Sequence, residues 1–278
     1  MLTNAEIDAA VTSWTARIEA FARDPAASPP GAVAGLAGDI VHVKGLKAAS
    51  AVPTVILTFD YYVEAYLNAF PIMQRHGLVG TWFVDPFTVD YGSPALPTSA
   101  QLREMVSAGW EIGGYPRYNM VSLLNAAGST AAKEHLQWVH DTLVAKGFAP
   151  TSFAPNQRSW NASLRNLAQG IFSAVRVADN FSTLQAQPAP DMLYVKDGGS
   201  NSLSAVDTAA SLIAQLDALQ ATSSAWIVVA HKVGAANDPN YSVDAAVFEA
   251  FCADIARRRD AGLLRVVPFG RLNPPVLK

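Results

Sequence analysis

Apolar residues along this chain fall into two alternating patterns. Mostly apolar runs rich in β-branched residues occupy Thr54 to Phe59, Leu78 to Val84 and Ser224 to Ala230, and a shorter strand-like piece stands at Ala174 to Ala178. Such runs read as strands buried on both faces. Between them lie segments with helical spacing at Tyr62 to Arg75, Thr98 to Ala108, about Thr130 to Ala145, Ala205 to Leu219 and Val243 to Ala261. Gly77, Gly109 and Gly147 follow three of these as helix stops. Thr98 with Gln101 three residues on predicts a capped helix start. Shorter strand-like pieces stand at Asp39 to Val43, Glu111 to Gly113, Thr151 to Ala154, Met192 to Val195 and Leu264 to Pro268. Strands alternating with helices predict parallel βαβ units, hence an α/β fold. The pattern alone leaves an open doubly wound sheet and a closed barrel as alternatives. In both, chemistry sits at the C-terminal ends of the strands.

The first residues follow a different plan. Thr3 and Glu6 make a capping box, and Ile7, Val11, Trp14, Ile18 and Phe21 then form one apolar stripe. The stretch Asp24-Pro-Ala-Ala-Ser-Pro-Pro-Gly-Ala reads as a semi-rigid linker. Residues 1–35 are therefore expected to be a helical arm with its linker, and 36–278 the main domain. The stripe either packs on that domain or serves as an oligomerisation or attachment arm.

Composition narrows the function classes. Half of the 278 residues are apolar and only 15% are charged, against about 25% in a typical globular chain. That excludes a disordered protein. The net charge of -3 comes with no basic stripe, so nucleic acid is not an expected partner. The longest apolar runs, such as Ala225 to Ala230, are too short to span a bilayer. One cysteine, Cys252, excludes a disulfide framework and a cysteine-based zinc site. The N-terminus has neither a basic n-region nor an apolar h-region. No signal peptide is expected, which points to a cytoplasmic or virion-associated protein. The chain has no Gly-x-Ser-x-Gly elbow, no Gly-x-Gly-x-x-Gly turn and no P-loop. No cofactor is expected.

Three ionisable residues directly follow predicted strands: Asp60, Asp179 and His231. Each alone reads as a helix cap or a structural donor. Together they read as a converging acid/base site.

From about Pro53 to Phe269, the order of these segments resembles the polysaccharide deacetylase family (NodB homology domain, carbohydrate esterase family four). The likeness rests on Thr58-Phe59-Asp60-Tyr61, on Gly109-Trp110-Glu111-Ile112-Gly113-Gly114-Tyr115 through Asn119, on Phe153-Ala154-Pro155-Asn156, and on Ile227-Val228-Val229-Ala230-His231. The resemblance implies a distorted (β/α) barrel. It implies Asp60 as general base, His231 as general acid and Asp179 as the residue that tunes His231. The family's metal-binding Asp and two His fall on Tyr61, Tyr115 and Asn119, and its base-orienting Arg falls on Ala154. Arg117 is expected to pair with Asp60 in place of that Arg.

Tyr and Asn are poor ligands for a divalent cation, because a phenol of pKa about 10 stays protonated at neutral pH. The family's metal lowers the pKa of the attacking water, and its loss removes many decades of rate. No metal site is expected here. The resemblance thus implies a catalytically inactive domain that recognises an acetylated glycan or acts as a scaffold. One alternative is an active carbohydrate deacetylase or esterase with a metal-independent or rebuilt site. Another is a structural component of a phage particle or surface assembly, with the arm supporting an oligomer. Tyr61, Tyr115, Arg117, Asn119 and Trp160 are the expected glycan contacts. The competing reading has the aromatic residues filling the emptied pocket as core.

Overall fold

The computed structural model describes residues 52–177, 184, 185, 187, 189, 191, 192, 195, 196, 203–234, 238 and 240–273. Pro53 opens the compact unit to which nearly all of these belong. The expected N-terminal helix and linker, the strand at Asp39 to Val43, and Asp179 lie outside the described residues.

Strand β1 (Thr54–Asp60) is buried along its whole length. It pairs in parallel on both edges, which explains its mostly apolar sequence. Four strands continue the sheet in chain order: β2 (Gly80–Val84), β3 (Glu111–Gly114), β4 (Ser152–Phe153) and β5 (Ala174–Val177). A short β6 (Val195–Lys196) lies beyond β5. Strand β7 (Ala225–Ala230) runs along the other edge of β1, with Thr54 opposite Ala225 and Phe59 opposite Ala230. Strands β8 (Lys232–Val233) and β9 (Ser242–Val243) form a separate parallel pair. The last strand, β10 (Arg265–Val266), pairs with the start of β1 on the β2 side. All eight strands of the main sheet are parallel, and the sheet curls into a half-barrel.

Helices cover the outside: α1 (Phe70–Arg75), α2 (Ser99–Ser107), α3 (Met120–Ala145), α4 (Ala162–Ala168), α5 (Ala209–Gln220) and α6 (Ala245–Asp260). The Thr98 capping box forms as its sequence predicts, with Gln101 N–H donating to Thr98 Oγ1 and Thr98 N–H donating to Gln101 Oε1. Several elements differ from the pattern. The segment from Tyr62 becomes helical only at Ala65, through a π-helical turn (Ala65–Ala69) that leads into α1. Tyr61 occupies the left-handed region at φ 63, and Tyr62 N–H bonds Asp60 O, so a turn occupies the expected first helical residues. Helix α3 starts about ten residues before the expected Thr130, because Asn119 caps it, and it breaks at Gly128 (φ 85). Helix α4, capped by Asn161, was not expected. No helix among the described residues is long and apolar enough to cross a membrane.

Strand alternation divides the core. Val55, Leu57 and Phe59 of β1 face the helices, in a cluster with Phe248, Phe251 and the buried Cys252 of α6. Ile56 faces the concave side with Ala174, Ala225, Ile227 and Phe269. Glu111 ties the barrel rim together. Its Oε2 accepts from Thr81 Oγ1 (3.0 Å) and Gly270 N (2.7 Å), and its Oε1 accepts from Thr151 Oγ1 (2.8 Å).

Candidate functional site

The alternation that sends Ile56 inward also sends Thr58 and Asp60 inward, at the C-terminal end of β1. On β5, Ala174 faces the same concavity and Arg176 shares its parity. On β7, Ala225 and Ile227 do so, and continuing that parity brings His231 to the same end. Three ionisable groups from three strands thus meet inside the barrel mouth.

Asp60 is only 5% exposed and Arg176 only 1%. Arg176 Nη2 donates to Asp60 Oδ2 at 2.6 Å, and Arg176 Nη1 donates to Thr58 Oγ1 at 2.9 Å. Thr58 Oγ1 passes the chain on to Val228 O at 2.7 Å. The guanidinium also lies over the Phe83 ring at 5.1 Å. Such a short charge-assisted bond between two buried groups is among the strongest protein hydrogen bonds. Arg176 therefore makes the ion pair that the sequence reading assigned to Arg117. Arg117 instead stacks on Phe87, its guanidinium 3.7 Å from the ring centroid. The signal for Arg176 was in the sequence: a charged residue inside a short apolar strand must find a buried partner.

His231 Nε2 stands 4.0 Å from Asp60 Oδ2, too far for a direct hydrogen bond. Burial pushes the His231 pKa below its ordinary value, more than the nearby Asp60 carboxylate pulls it up. The imidazole is held edge-on between Tyr62 (6.1 Å) and Tyr241 (5.1 Å). Its Nδ1 is buried without a hydrogen-bond partner, and so is Asp60 Oδ1. Next to them Lys232 Nζ lies 4.4 Å above the Tyr62 ring and pairs with Asp238 at 2.9 Å. Asp179, assigned to orient His231, lies outside the described residues.

The remaining residues named from the sequence separate into two groups. Tyr61 and Tyr115 stay at the mouth, with ring centroids 6.1 Å apart, and Tyr61 meets Tyr62 edge-on at 5.4 Å. Burial and the Asp60 charge hold the Tyr115 phenol far above its usual pKa. Asn119 is committed to the start of α3 and to the loop after β4 instead. Its Oδ1 accepts from Ser122 N (2.9 Å) and Ser159 Oγ (2.6 Å), and its Nδ2 donates to Gln157 Oε1 (3.2 Å). Trp160 is buried beside Phe153, Met120 and Phe172 in the core under α3 and α4. Its bulk packs there, not on a ligand surface, which corrects its assignment as a glycan contact. A further strand-end acid escaped the sequence reading. Asp85, directly after β2, is buried, accepts from Phe87 N at 3.0 Å, and has its pKa raised by burial.

The donor set does not suit a divalent cation. Both lone-pair directions of Asn119 Oδ1 are in use, and the Tyr115 phenol stays protonated. Among the described residues, no three His, Cys, Asp or Glu side chains converge on one point. What the mouth offers instead is the imidazole of His231, one carboxylate oxygen of Asp60 without a hydrogen-bond partner, and a set of tyrosine rings.

The comparisons with known proteins agree with this scaffold. The polysaccharide deacetylase family profile matches residues 47–171, somewhat under half of the chain. Among solved structures, a family 4 acetyl xylan esterase from Clostridium thermocellum, solved with cobalt, matches at 17% identity. It covers 79% of this chain and 89% of its own, with TM-score 0.52. The Xyl-CE4 domain of a multidomain xylanase from the hindgut metagenome of Trinervitermes trinervoides matches at 14% identity over 81% of this chain and 94% of its own, with TM-score 0.51. The Streptococcus pyogenes deacetylase PplD, solved with acetate, matches at 20% identity and TM-score 0.44 over 51% of this chain. The match spans 62% of that protein, less than two thirds of its length. No curated protein matches the chain. The fold is that of the deacetylase (β/α) barrel.

Proposed function

From a polysaccharide-deacetylase-like barrel as the starting point, we propose that this protein binds an acetylated glycan at the mouth around Asp60 and does not hydrolyse it. The observation that carries this reading is the pairing of spent metal positions with unspent polar atoms. Asn119 is consumed by backbone capping and Tyr115 is a protonated phenol, while Asp60 Oδ1 and His231 Nδ1 are buried without partners. A buried polar atom without a partner costs roughly 1–3 kcal/mol. A ligand bearing hydroxyl or amide groups removes that cost, and the tyrosine rings give its apolar ring faces a surface. Arg176 already occupies Asp60 Oδ2, so only one carboxylate oxygen is left for a ligand.

The test measures acetate release and equilibrium binding on the same acetylated chito- and xylo-oligosaccharides, with Asp60→Asn as control. Binding without release, weakened by the substitution, is the expected result. Release that Asp60→Asn abolishes identifies a working hydrolase with a rebuilt site and overturns the proposal. Absence of binding across the panel overturns it as well.

A further inference from the structure

Buried arginines in this fold find carboxylates, with an exception at the end of the barrel away from the mouth. Arg176 is held by Asp60, and the buried Arg258 of α6 is held by Asp217 at 2.7 Å and Asp254 at 2.6 Å. Arg265 is half-buried on β10 and meets no carboxylate among the described residues. Its Nε donates to Thr54 Oγ1 at 2.6 Å, and its Nη2 donates to Gln187 Oε1 and to Leu272 O, both at 2.9 Å. All three acceptors are neutral. Burial pushes the Arg265 pKa down, with no opposing charge to raise it. A charge taken out of water is ordinarily paired, because its desolvation is otherwise uncompensated.

The sheet sets the place of Arg265. It stands opposite Thr54, the first residue of β1. Thr54 shares the inward parity of Ile56 and Asp60, so Arg265 also turns into the concavity, at the N-terminal ends of the strands. Gln185 bridges Ala225 across this end, and Ala189 exchanges two hydrogen bonds with the Asn273 side chain. Gln187 is held between these two anchors and against the guanidinium. Thr54 Oγ1 donates to the same Gln187 Oε1 at 2.8 Å. Two donors on Oε1 fix the amide, and its Nε2, on the same carbon, is buried without a partner. Arg265 Nη1 likewise donates to no described group. This end of the barrel thus carries two neighbouring unused donors, one of them charged.

We infer that Arg265 and the Gln187 amide form an anion site, separate from the mouth, for the carboxylate or phosphate group of a small molecule. Six strand positions divide Thr54 from Asp60, about 20 Å along β1. The site stands whether or not the mouth binds a glycan. Its chemistry selects the ligand. A guanidinium and an amide nitrogen supply only N–H groups, so the ligand must bring acceptors. The charge on Arg265 is not cancelled, so a negative ligand is favoured over a neutral one. Ala189, Ala225, Ile227 and Leu272 form an apolar cluster at this end, and an apolar setting strengthens a charge-assisted hydrogen bond. The three neutral acceptors explain where the guanidinium sits, but neutral donors would satisfy them equally well.

The test is thermal unfolding of the full chain, with sodium phosphate or sodium acetate replacing sodium chloride at constant ionic strength. The wild-type midpoint is expected to rise saturably with at least one of the two anions, with half-saturation at about 1–10 mM. The anion that acts identifies phosphate or carboxylate as the group. Gln187→Glu keeps an acceptor for Thr54 and Arg265 and sets a carboxylate against the guanidinium. In that variant the anion response is lost, and the midpoint without anion equals or exceeds that of the wild type. Arg265→Lys keeps a charge but loses the guanidinium fork, and raises the half-saturating concentration by about threefold or more. A wild-type midpoint that follows ionic strength alone overturns the site. An equal anion response in the wild type and in either variant overturns it as well, because the anion then acts elsewhere.

Discussion

Removing Arg176 isolates a buried carboxylate. Asp60 is 5% exposed and its Oδ2 has Arg176 as hydrogen-bond partner, with His231 4.0 Å away. Breaking a buried ion pair by deleting one partner costs about 3–5 kcal/mol, because the other charge is left uncompensated. Arg176→Leu also removes the donor to Thr58 Oγ1, a further ~1 kcal/mol. A domain of this kind is stable by roughly 5–15 kcal/mol, so the variant should be folded but close to its limit. Asp60→Asn keeps an acceptor and should cost less, about 2 kcal/mol. If the ion pair is the dominant interaction of both side chains, the double variant Asp60→Asn/Arg176→Leu is better off than the sum of the singles by about 2 kcal/mol or more. Urea unfolding followed by fluorescence of the six tryptophans gives all four stabilities. A coupling below about 0.5 kcal/mol, the usual scatter of additive sites, would falsify the claim that Arg176 holds Asp60.

Other expectations follow from the same geometry. Burial lowers the pKa of His231, and of His135 on α3, below the unfolded value of about 6.5; the unfolded chain then binds more protons below that pH, so stability falls as the pH drops from about 6.5 through the folded pKa values. Urea midpoints between pH 7.5 and 5 check this, and His231→Gln should flatten the slope in part; a midpoint unchanged over that range refutes it. Cobalt or zinc at millimolar concentration should not raise the thermal midpoint, since a cation bound only to the folded state would add RT ln(1 + [L]/Kd); a rise abolished by chelator contradicts the reading of the donor set. Gly113→Ala would place a Cβ 2.5 Å from Phe83 and 2.8 Å from Ser152 Oγ, an overpacking worth about 1–3 kcal/mol; a midpoint equal to wild type shows that the β2–β4 packing yields more easily than the structure implies.

Much of the scaffold was legible because it depends on local pattern. A strand paired on both edges must be mostly apolar, and β1 and β7 read that way without ambiguity. The Thr98 box needs only two residues, three apart. The start of α3 was less legible: read by family position, Asn119 looked like a former metal ligand, whereas its capping of α3 depends on Ser122 and on Ser159, forty residues away. The turn after β1 depends on Tyr61 adopting φ 63, which no periodicity signals. Arg176 is the instructive case. Motif order points to Arg117 as the partner of Asp60, whereas the partner stands on a strand separated by 116 positions. Counting inward parity on each strand, from Ile56 on β1 and Ala174 on β5, brings the two together without any motif. Trp160 failed for the opposite reason: an aromatic on a strand-end loop can face inward as well as outward, and the adjoining α4, unseen in the pattern, gives it a core to enter.

The cost of the mouth argues for its use. A buried ion pair can often be replaced by well-packed apolar side chains with no loss, or a gain, in stability. Arg176, Asp60 and Thr58 do join β5 to β1 and, through Val228, to β7, but packing alone could join those strands. Two further atoms, Asp60 Oδ1 and His231 Nδ1, are buried without partners. At roughly 1–3 kcal/mol each, they are a measurable share of the stability of a domain this size, and no hydrogen bond among the described residues offsets them. A ligand that supplies a donor to the carboxylate and a matching group to the imidazole offsets both at once. Part of its binding energy is then relief of a penalty the folded protein already carries. The consequence is specific: Asp60→Asn changes which ligand groups the mouth accepts, because an amide can present N–H where the carboxylate presented only oxygen. Oligosaccharides whose hydroxyl donates to Asp60 lose affinity in that variant. Analogues with that hydroxyl replaced by fluorine, a weak acceptor, lose affinity for the wild-type protein and little for the variant. Equal losses in both proteins would mean that Asp60 Oδ1 is not the atom the ligand meets.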